Sequence, residues 1–186
     1  KKIKFVLENS EYPWFILKKK SLLNQFDKIL YLNLYYKMFD GVLAMTQALC
    51  KYHQIYSRKR AKVFHLPMTV DMQRFNINIE RENLITYIGN KSYYKDGVEI
   101  LVKSFLIIAN LYPDWKLMII GDSGNENMIK QLAINAGLEK RIILMGNVHR
   151  DNVPELLCRS MILALARPNN LQAEGGFPTK LGEYLS

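Results

Sequence analysis

The feature that most constrains this chain is an alternation. Short apolar runs, several of them ended by glycine, are separated by stretches whose apolar residues recur at helical spacing. A continuous apolar run suits a strand covered on both faces, and a helix between two such runs returns the chain so that the next strand lies parallel. The pattern therefore predicts an α/β fold with parallel sheets. In the first part, Ile3–Leu7, Gly41–Met45 and Val63–Leu66 read as strands and Leu22–Phe39 as a long helix rich in Leu and Tyr. Thr46 is placed to cap a helix reaching about Tyr56. In the second part, strands are expected at Leu84–Gly89, Trp115–Ile120, Arg141–Met145 and Met161–Ala166. Helices are expected at Lys95–Leu111, Asn127–Ala136 and Pro154–Cys158. Val98, Leu101, Val102, Phe105 and Ile108 form the buried stripe of the first, and Gly137 stops the second.

Between the two series, residues 67–83 show neither period, and the charge changes there as well. The chain carries a net charge of +9. Residues 1–70 hold 13 Lys/Arg against 4 Asp/Glu, whereas residues 71–186 hold 13 of each. The expected division is thus a first domain over 1–68, a connection over 69–82 and a second domain over 83–186. The chain begins at Lys1 and stops at Ser186 inside a helical pattern, so both domains are expected to be incomplete parts of a longer polypeptide. The basic clusters Lys1-Lys2-Ile-Lys4, Lys18-Lys19-Lys20 and Arg58-Lys59-Arg60-Ala-Lys62 suit either a solvated surface or an anionic membrane surface. No nucleic-acid-binding motif accompanies them, so nucleic acid is not expected as a partner.

Other chemistries find little footing. Cys50 and Cys158 stand singly in apolar segments, as reduced core thiols of a cytoplasmic protein would. No apolar run reaches the ~18 residues of a membrane-spanning helix. There is no Gly-x-Ser-x-Gly and no Asp-x-Asp, and the three histidines do not pair at metal-ligand spacing. No metal site is expected. His65 is expected to be packed and His149 to lie in a loop at the ligand edge. Tyr12, Trp14 and Phe15 read as local core, although Glu11-Tyr12-Pro13 could equally border an acceptor.

In parallel sheets, ligands bind outside the carboxyl ends of the strands. That edge would carry Gly89-Asn90-Lys91, Gly121-Asp122-Ser123-Gly124, Gly146-Asn147-Val148 and the loop from Arg167 to Gly176. Within the closing run Glu174-Gly175-Gly176-Phe177-Pro178-Thr179-Lys180-Leu-Gly-Glu183-Tyr184, the glycines allow close approach to the backbone, and Pro178 suits a first helical position. The start of that helix would offer free amides to an anion, and Glu183 would accept hydrogen bonds from sugar hydroxyls. This reads as a phosphate-and-sugar pocket.

These residues resemble the retaining GT-B glycosyltransferases of the family-4 type, the glycosyl transferases group 1. The likeness rests on Pro67-x-x-Val70-Asp71-x-x-x-Phe75, Tyr-Ile-Gly89 with Lys95-Asp96-Gly97, Lys-Leu-Met-Ile-Ile-Gly121, Ile-Leu-Met-Gly146-Asn-Val and the closing motif, over roughly residues 40–186. It implies two Rossmann-like domains facing a cleft, with a nucleotide-diphosphate sugar as co-substrate, held mainly by the second domain, and no other cofactor. In the family's Glu-x-Phe-Gly-x4-Glu signature, the second glutamate falls on Glu183, implying a contact with the nucleotide ribose, and the Phe falls on Phe177. The first glutamate position holds Gly175, leaving Glu174 as the carboxylate available for the donor sugar. Pro178 stands where the family has glycine. The family's diphosphate lysine matches Lys95, and its arginine position holds Asn90, with Lys91 adjacent as a substitute. Gly176 and Phe177 would add amide donors, and Gly146 with Asn147 would lie at the base.

The resemblance implies a hexosyltransferase that works with retention and without a metal. It would use a UDP- or GDP-sugar and pass the sugar to a saccharide or lipid-linked acceptor in surface polysaccharide assembly. The enzyme would be cytoplasmic, with a peripheral place on the inner face of the membrane. The displaced first glutamate and absent arginine leave a second possibility, a catalytically silent nucleotide-sugar-binding or scaffolding module.

Overall fold

Seven short strands, every neighbouring pair parallel, make up two separate sheets in the computed structural model, which describes residues 3–13, 26, 29–31, 33–89, 96–122 and 126–186. The chain divides into two compact units. Lys1–Thr69 with Asn169–Pro178 forms one, and Val70–Pro168 with Thr179–Ser186 the other. Asn169–Pro178 thus belongs with the first unit, where the sequence pattern places it in the second domain. Residues 70–82, read as a connection, belong to the second unit. Phe75 explains the latter: in the short 3-10 turn Met72–Phe75 it is buried against Leu84 and Ile88.

The first unit has strands β1 (Val6–Asn9), β2 (Gly41–Ala44) and β3 (Lys62–His65), ordered β1-β2-β3. The central strand β2 carries the burial, with Val42 and Ala44 fully enclosed. Strand β1 lies further along the chain than Ile3–Leu7 because β2 begins only at Gly41, which pairs with Val6. Of the expected helix Leu22–Phe39, residues 22–25, 27, 28 and 32 lie outside the described residues. Its described end tightens into a 3-10 turn, Tyr35–Met38. Helix α1 (Gln47–Tyr56) starts as expected, since the Thr46 hydroxyl accepts the Leu49 N–H at 3.1 Å. Tyr12, Tyr36, Leu49, Cys50 and Tyr52 fill the core. Trp14 and Phe15 lie outside the described residues. His65, expected to be packed, is exposed, its ring 3.3 Å from Gln47 Nε2 and from Met45 O.

The second unit is a four-stranded sheet ordered β6-β5-β4-β7, from β4 (Glu82–Ile88), β5 (Lys116–Ile120), β6 (Ile142–Gly146) and β7 (Ser160–Leu163). Alternate residues of β5 face opposite sides, as the pleat requires. Leu117 and Ile119 pack with helices α2 (Val98–Ile108) and α3 (Glu126–Asn135), while Met118 and Ile120 pack with α4 (Val153–Cys158) and Phe75. Burying each such side chain contributes about 1.5–3 kcal/mol. On α2 the stripe runs Val98, Val102, Phe105 and then Ala109, all nearly solvent-free. Ile108, assigned to that stripe from sequence, is instead exposed, because the helical step from Phe105 lands on Ala109. Arg141 gathers the carbonyls at the end of this helix, donating to Ala109 O, Tyr112 O and Trp115 O. Both cysteines are free; Cys50 is buried and Cys158 half-buried, its thiol donating to Phe75 O at 3.4 Å. Among the described residues no helix is long and apolar enough to cross a membrane.

Two differences mark the closing segment. Strand β7 ends at Leu163 rather than Ala166. The stretch read as a loop contains a one-turn helix, α5 (Leu171–Gly175), because the Asn170 side chain caps it by accepting the Ala173 N–H at 2.9 Å. A second short helix, α6 (Lys180–Tyr184), then ends the chain.

Candidate functional site

In the second unit, β4, β5 and β6 finish side by side at Gly89, Gly121 and Gly146. The Gly89 N–H donates to Ile120 O at 3.1 Å, and the Gly121 N–H donates to Gly146 O at 2.7 Å. Gly121 has φ +114°, and a β-carbon there would stand 2.3 Å from Gly89 O. Only glycine lets these strand ends close up so tightly. Gly97, the residue before α2, has φ +65°, and a β-carbon there would lie 1.8 Å from Ala166 O. The start of α2 is therefore pressed against the chain leaving β7. The result is an edge of bare backbone with α2 beginning beside it.

Tyrosines knit this edge together. The Tyr184 hydroxyl accepts the Ile88 N–H at 2.9 Å and lies 3.5 Å from Ala164 O, which ties α6 to the ends of β4 and β7. Burial, and then the neighbouring Glu183 carboxylate, push its hydroxyl up to about 12 against the pull of the Ile88 bond. Tyr87 is also raised, first by burial and then by Asp96 and Tyr184, while Arg167 acts in the opposite direction. The fold thus brings Tyr87, Asp96, Arg167, Glu183 and Tyr184 into one electrostatic neighbourhood. Sequence reasoning gives no role to Tyr87, Arg167 or Tyr184. An arginine directly after the last apolar run is the signal available for Arg167.

The residues singled out from sequence lie in different parts of the fold. Glu183 is partly buried, with Lys180 as its ion-pair partner at 4.0 Å. Gly146 ends β6 and Asn147 is exposed next to it. Lys91 and Lys95, with Asn90, lie outside the described residues. Glu174, Gly176 and Phe177 belong to the first unit, Glu174 being exposed on α5. The Gly176 N–H donates to Gln172 O at 2.9 Å. In this conformation it serves the end of α5, not an anion, because helix-like closure of the loop consumes it. His149 is exposed at the end of the β6 loop, its ring 3.4 Å from the Asp151 carboxylate. Among the described residues, no group of three or more His, Cys, Asp or Glu is arranged to hold a metal ion. A cavity of about 660 Å³ in the second unit is lined by Phe75, Cys158, Ser160, Leu163, Leu181 and Glu183, among others, but by none of the strand-end glycines. It runs along β7 rather than along the glycine edge.

The family model of glycosyl transferases group 1 matches residues 69–186, well over half of the chain. The chain belongs to that family. A curated relative, the A-type component of the phosphatidylinositol N-acetylglucosaminyltransferase of Arabidopsis thaliana, is 23% identical over 100 residues, which is 52% of this chain and 22% of that protein. Among solved structures, the pneumococcal O-GlcNAc transferase GtfA in complex with UDP and GlcNAc is similar with a TM-score of 0.68 and 16% identity, over 98% of this chain and 35% of its own. Anabaena HepE in complex with UDP and glucose is similar with a TM-score of 0.65 and 19% identity, over 88% of this chain and 46% of its own. At such identities the structural likeness speaks for the fold, that of GT-B glycosyltransferases with parallel Rossmann-like sheets. The chain spans about a fifth of the Arabidopsis protein and between a third and a half of these two structures.

Proposed function

We propose that this glycosyl transferase group 1 chain is part of an enzyme that moves a hexosyl group from a UDP- or GDP-sugar to a saccharide or lipid-linked acceptor, with retention at the anomeric carbon. The observation that carries this reading is the family match over residues 69–186, laid on a parallel sheet whose strands end together in glycine. Transfer breaks the bond from the anomeric carbon to a diphosphate, so negative charge grows on the leaving group. Lys95 and Lys91, with the Phe177 amide, are proposed to meet that charge in place of a divalent metal. Losing one such contact costs on the order of 100–1000-fold in kcat. Glu183 is proposed to hold the ribose, Gly146 and Asn147 to adjoin the base, and Glu174 to meet the donor sugar.

The basic first unit suits a lipid-linked acceptor at an anionic, cytoplasmic membrane surface, and with it a role in surface polysaccharide assembly. One observation favours a different reading, a silent nucleotide-sugar-binding module: glycine stands at 175, where the family's first glutamate falls. The test is a thermal-shift screen of UDP, GDP and ADP on the complete polypeptide, followed by turnover of labelled donor. A nucleotide at about 100 times its Kd raises stability by ~2.7 kcal/mol. Stabilisation by UDP or GDP together with transfer upholds the enzyme, and stabilisation without transfer or hydrolysis upholds the silent module. No stabilisation by any of the three defeats both.

A further inference from the structure

The glycine at 175 has a steric cause within the first unit. A β-carbon there would stand 2.3 Å from both Cδ2 and Cε2 of Tyr12 and 3.0 Å from its Cζ. The backbone does not ask for glycine, since residue 175 is not among the positive-φ positions. Nor is Tyr12 loose. It is 7% exposed and packs edge-on against Tyr52, with ring centres 5.4 Å apart. Three further ties hold α5. The Thr46 hydroxyl, which caps α1, also donates to Gly175 O at 3.1 Å. Gln172, itself buried, reaches Glu11 Oε2 at 3.4 Å. Asn170 caps the turn from its other end. Between these fixed points sits Glu174, exposed and close enough to Tyr12 for its charge to be felt by that hydroxyl.

We propose that Tyr12 and Thr46 are positioning residues for Glu174: the Tyr12 ring occupies the room that a side chain at 175 would need, and Thr46 clamps the carbonyl that follows Glu174. This rests on the reading of Glu174 as the carboxylate for the donor sugar. It turns the displaced glutamate from a defect into a relocated one, because the face at 175 is filled by a ring and the carboxylate is presented one residue earlier. Grafting the family's own residue by Gly175→Glu would then damage rather than improve the protein.

Hydrogen exchange of the Glu174 and Gly176 amides, which donate to Asn170 O and Gln172 O, reads the holding of α5 whatever the activity. In the complete polypeptide, Gly175→Ala is expected to speed their exchange by about tenfold or more, as loss of local stability does. Alanine is the better helix former, so with Tyr12→Ala in the same chain the sign reverses and Gly175→Ala slows exchange relative to Tyr12→Ala alone. Thr46→Val is expected to speed exchange similarly, and Thr46→Ser to keep it near wild type. In labelled-donor turnover, Gly175→Ala and Thr46→Val are expected to lower kcat by up to about 100-fold with donor KM little changed, as misplacement of a reacting group does, and Thr46→Ser to restore it. Unchanged exchange in Gly175→Ala, or no reversal in the Tyr12→Ala background, overturns the proposal. So does wild-type kcat in Gly175→Ala and Thr46→Val. If exchange responds as stated but the wild-type protein transfers no sugar, the holding of Glu174 stands and it is the transferase reading that fails.

Discussion

In the first unit, the enclosed residues behind β2 are mostly rings bearing polar atoms: Tyr12, Tyr36, Tyr52 and His53. In the second, the sheet is filled by aliphatic side chains, Leu117, Met118, Ile119 and Ile120 among them, with Phe105 packed on one face. The buried polar side chains of the two regions fare differently. In the second unit, Thr86 and Ser160 share a hydroxyl–hydroxyl bond of 2.6 Å, and Ser160 also donates to Leu156 O at 2.7 Å. In the first, the Tyr36 hydroxyl and both ring nitrogens of His53 are enclosed with no hydrogen-bond partner among the described residues. His53 stacks on Tyr36, ring centres 5.3 Å apart and 16° from parallel, and meets Tyr52 edge-on at 5.3 Å. A buried polar group without a partner costs about 1–3 kcal/mol. Ring packing alone offsets that cost in the first unit, whereas in the second the polar groups help.

The contrast is broken or sharpened by four measurements, each following exchange of β5 and α1 amides separately. Phe105→Ala removes the largest apolar side chain between α2 and the sheet and should destabilise the second unit by about 3–5 kcal/mol. A loss below ~1 kcal/mol would mean that the aliphatic core is not what holds that unit.

Acid should act on the first unit. Burial lowers the His53 pKa from 6.5 to about 4. The folded state therefore binds fewer protons than the unfolded state between those values, and stability falls as pH drops through that window. The contribution is complete above about pH 6.5, and ~3 kcal/mol is lost by about pH 4. His53→Phe should flatten this slope, while a slope unchanged by that substitution would sink the assignment. Ser160→Ala leaves the Thr86 hydroxyl enclosed without its partner and should cost the second unit about 2 kcal/mol. Tyr36→Phe, the matching deletion in the first unit, should cost less than about 0.5 kcal/mol or stabilise slightly, since no hydrogen bond is lost. Equal losses from these last two would erase the difference between the units.

Much of the fold is legible in the sequence alone, and for local reasons. Gly41–Ala44, Glu82–Ile88, Lys116–Ile120 and Ile142–Gly146 are short apolar runs that only a sheet covered on both faces accommodates, so their extents fall within a residue or two of expectation. Thr46 and Gly137 mark the ends of helices by chemistry confined to one turn: a hydroxyl accepting an N–H, and a residue at φ +66° where the helix stops. The three glycines at one sheet edge follow from those strand assignments. Partnership across the chain is not visible in the same way. That Phe75 belongs to the second core, that Ala109 rather than Ile108 faces it, and that Asn169–Pro178 packs with residues 1–69 all depend on which surface lies opposite. The site divides along the same line. The residue types suited to phosphate and sugar are already in the sequence, because charge and glycine content are properties of single positions. That residue 175 must lack a side chain is decided only by tertiary structure, since the ring that excludes it comes from Tyr12, far away in the chain and brought close only by folding.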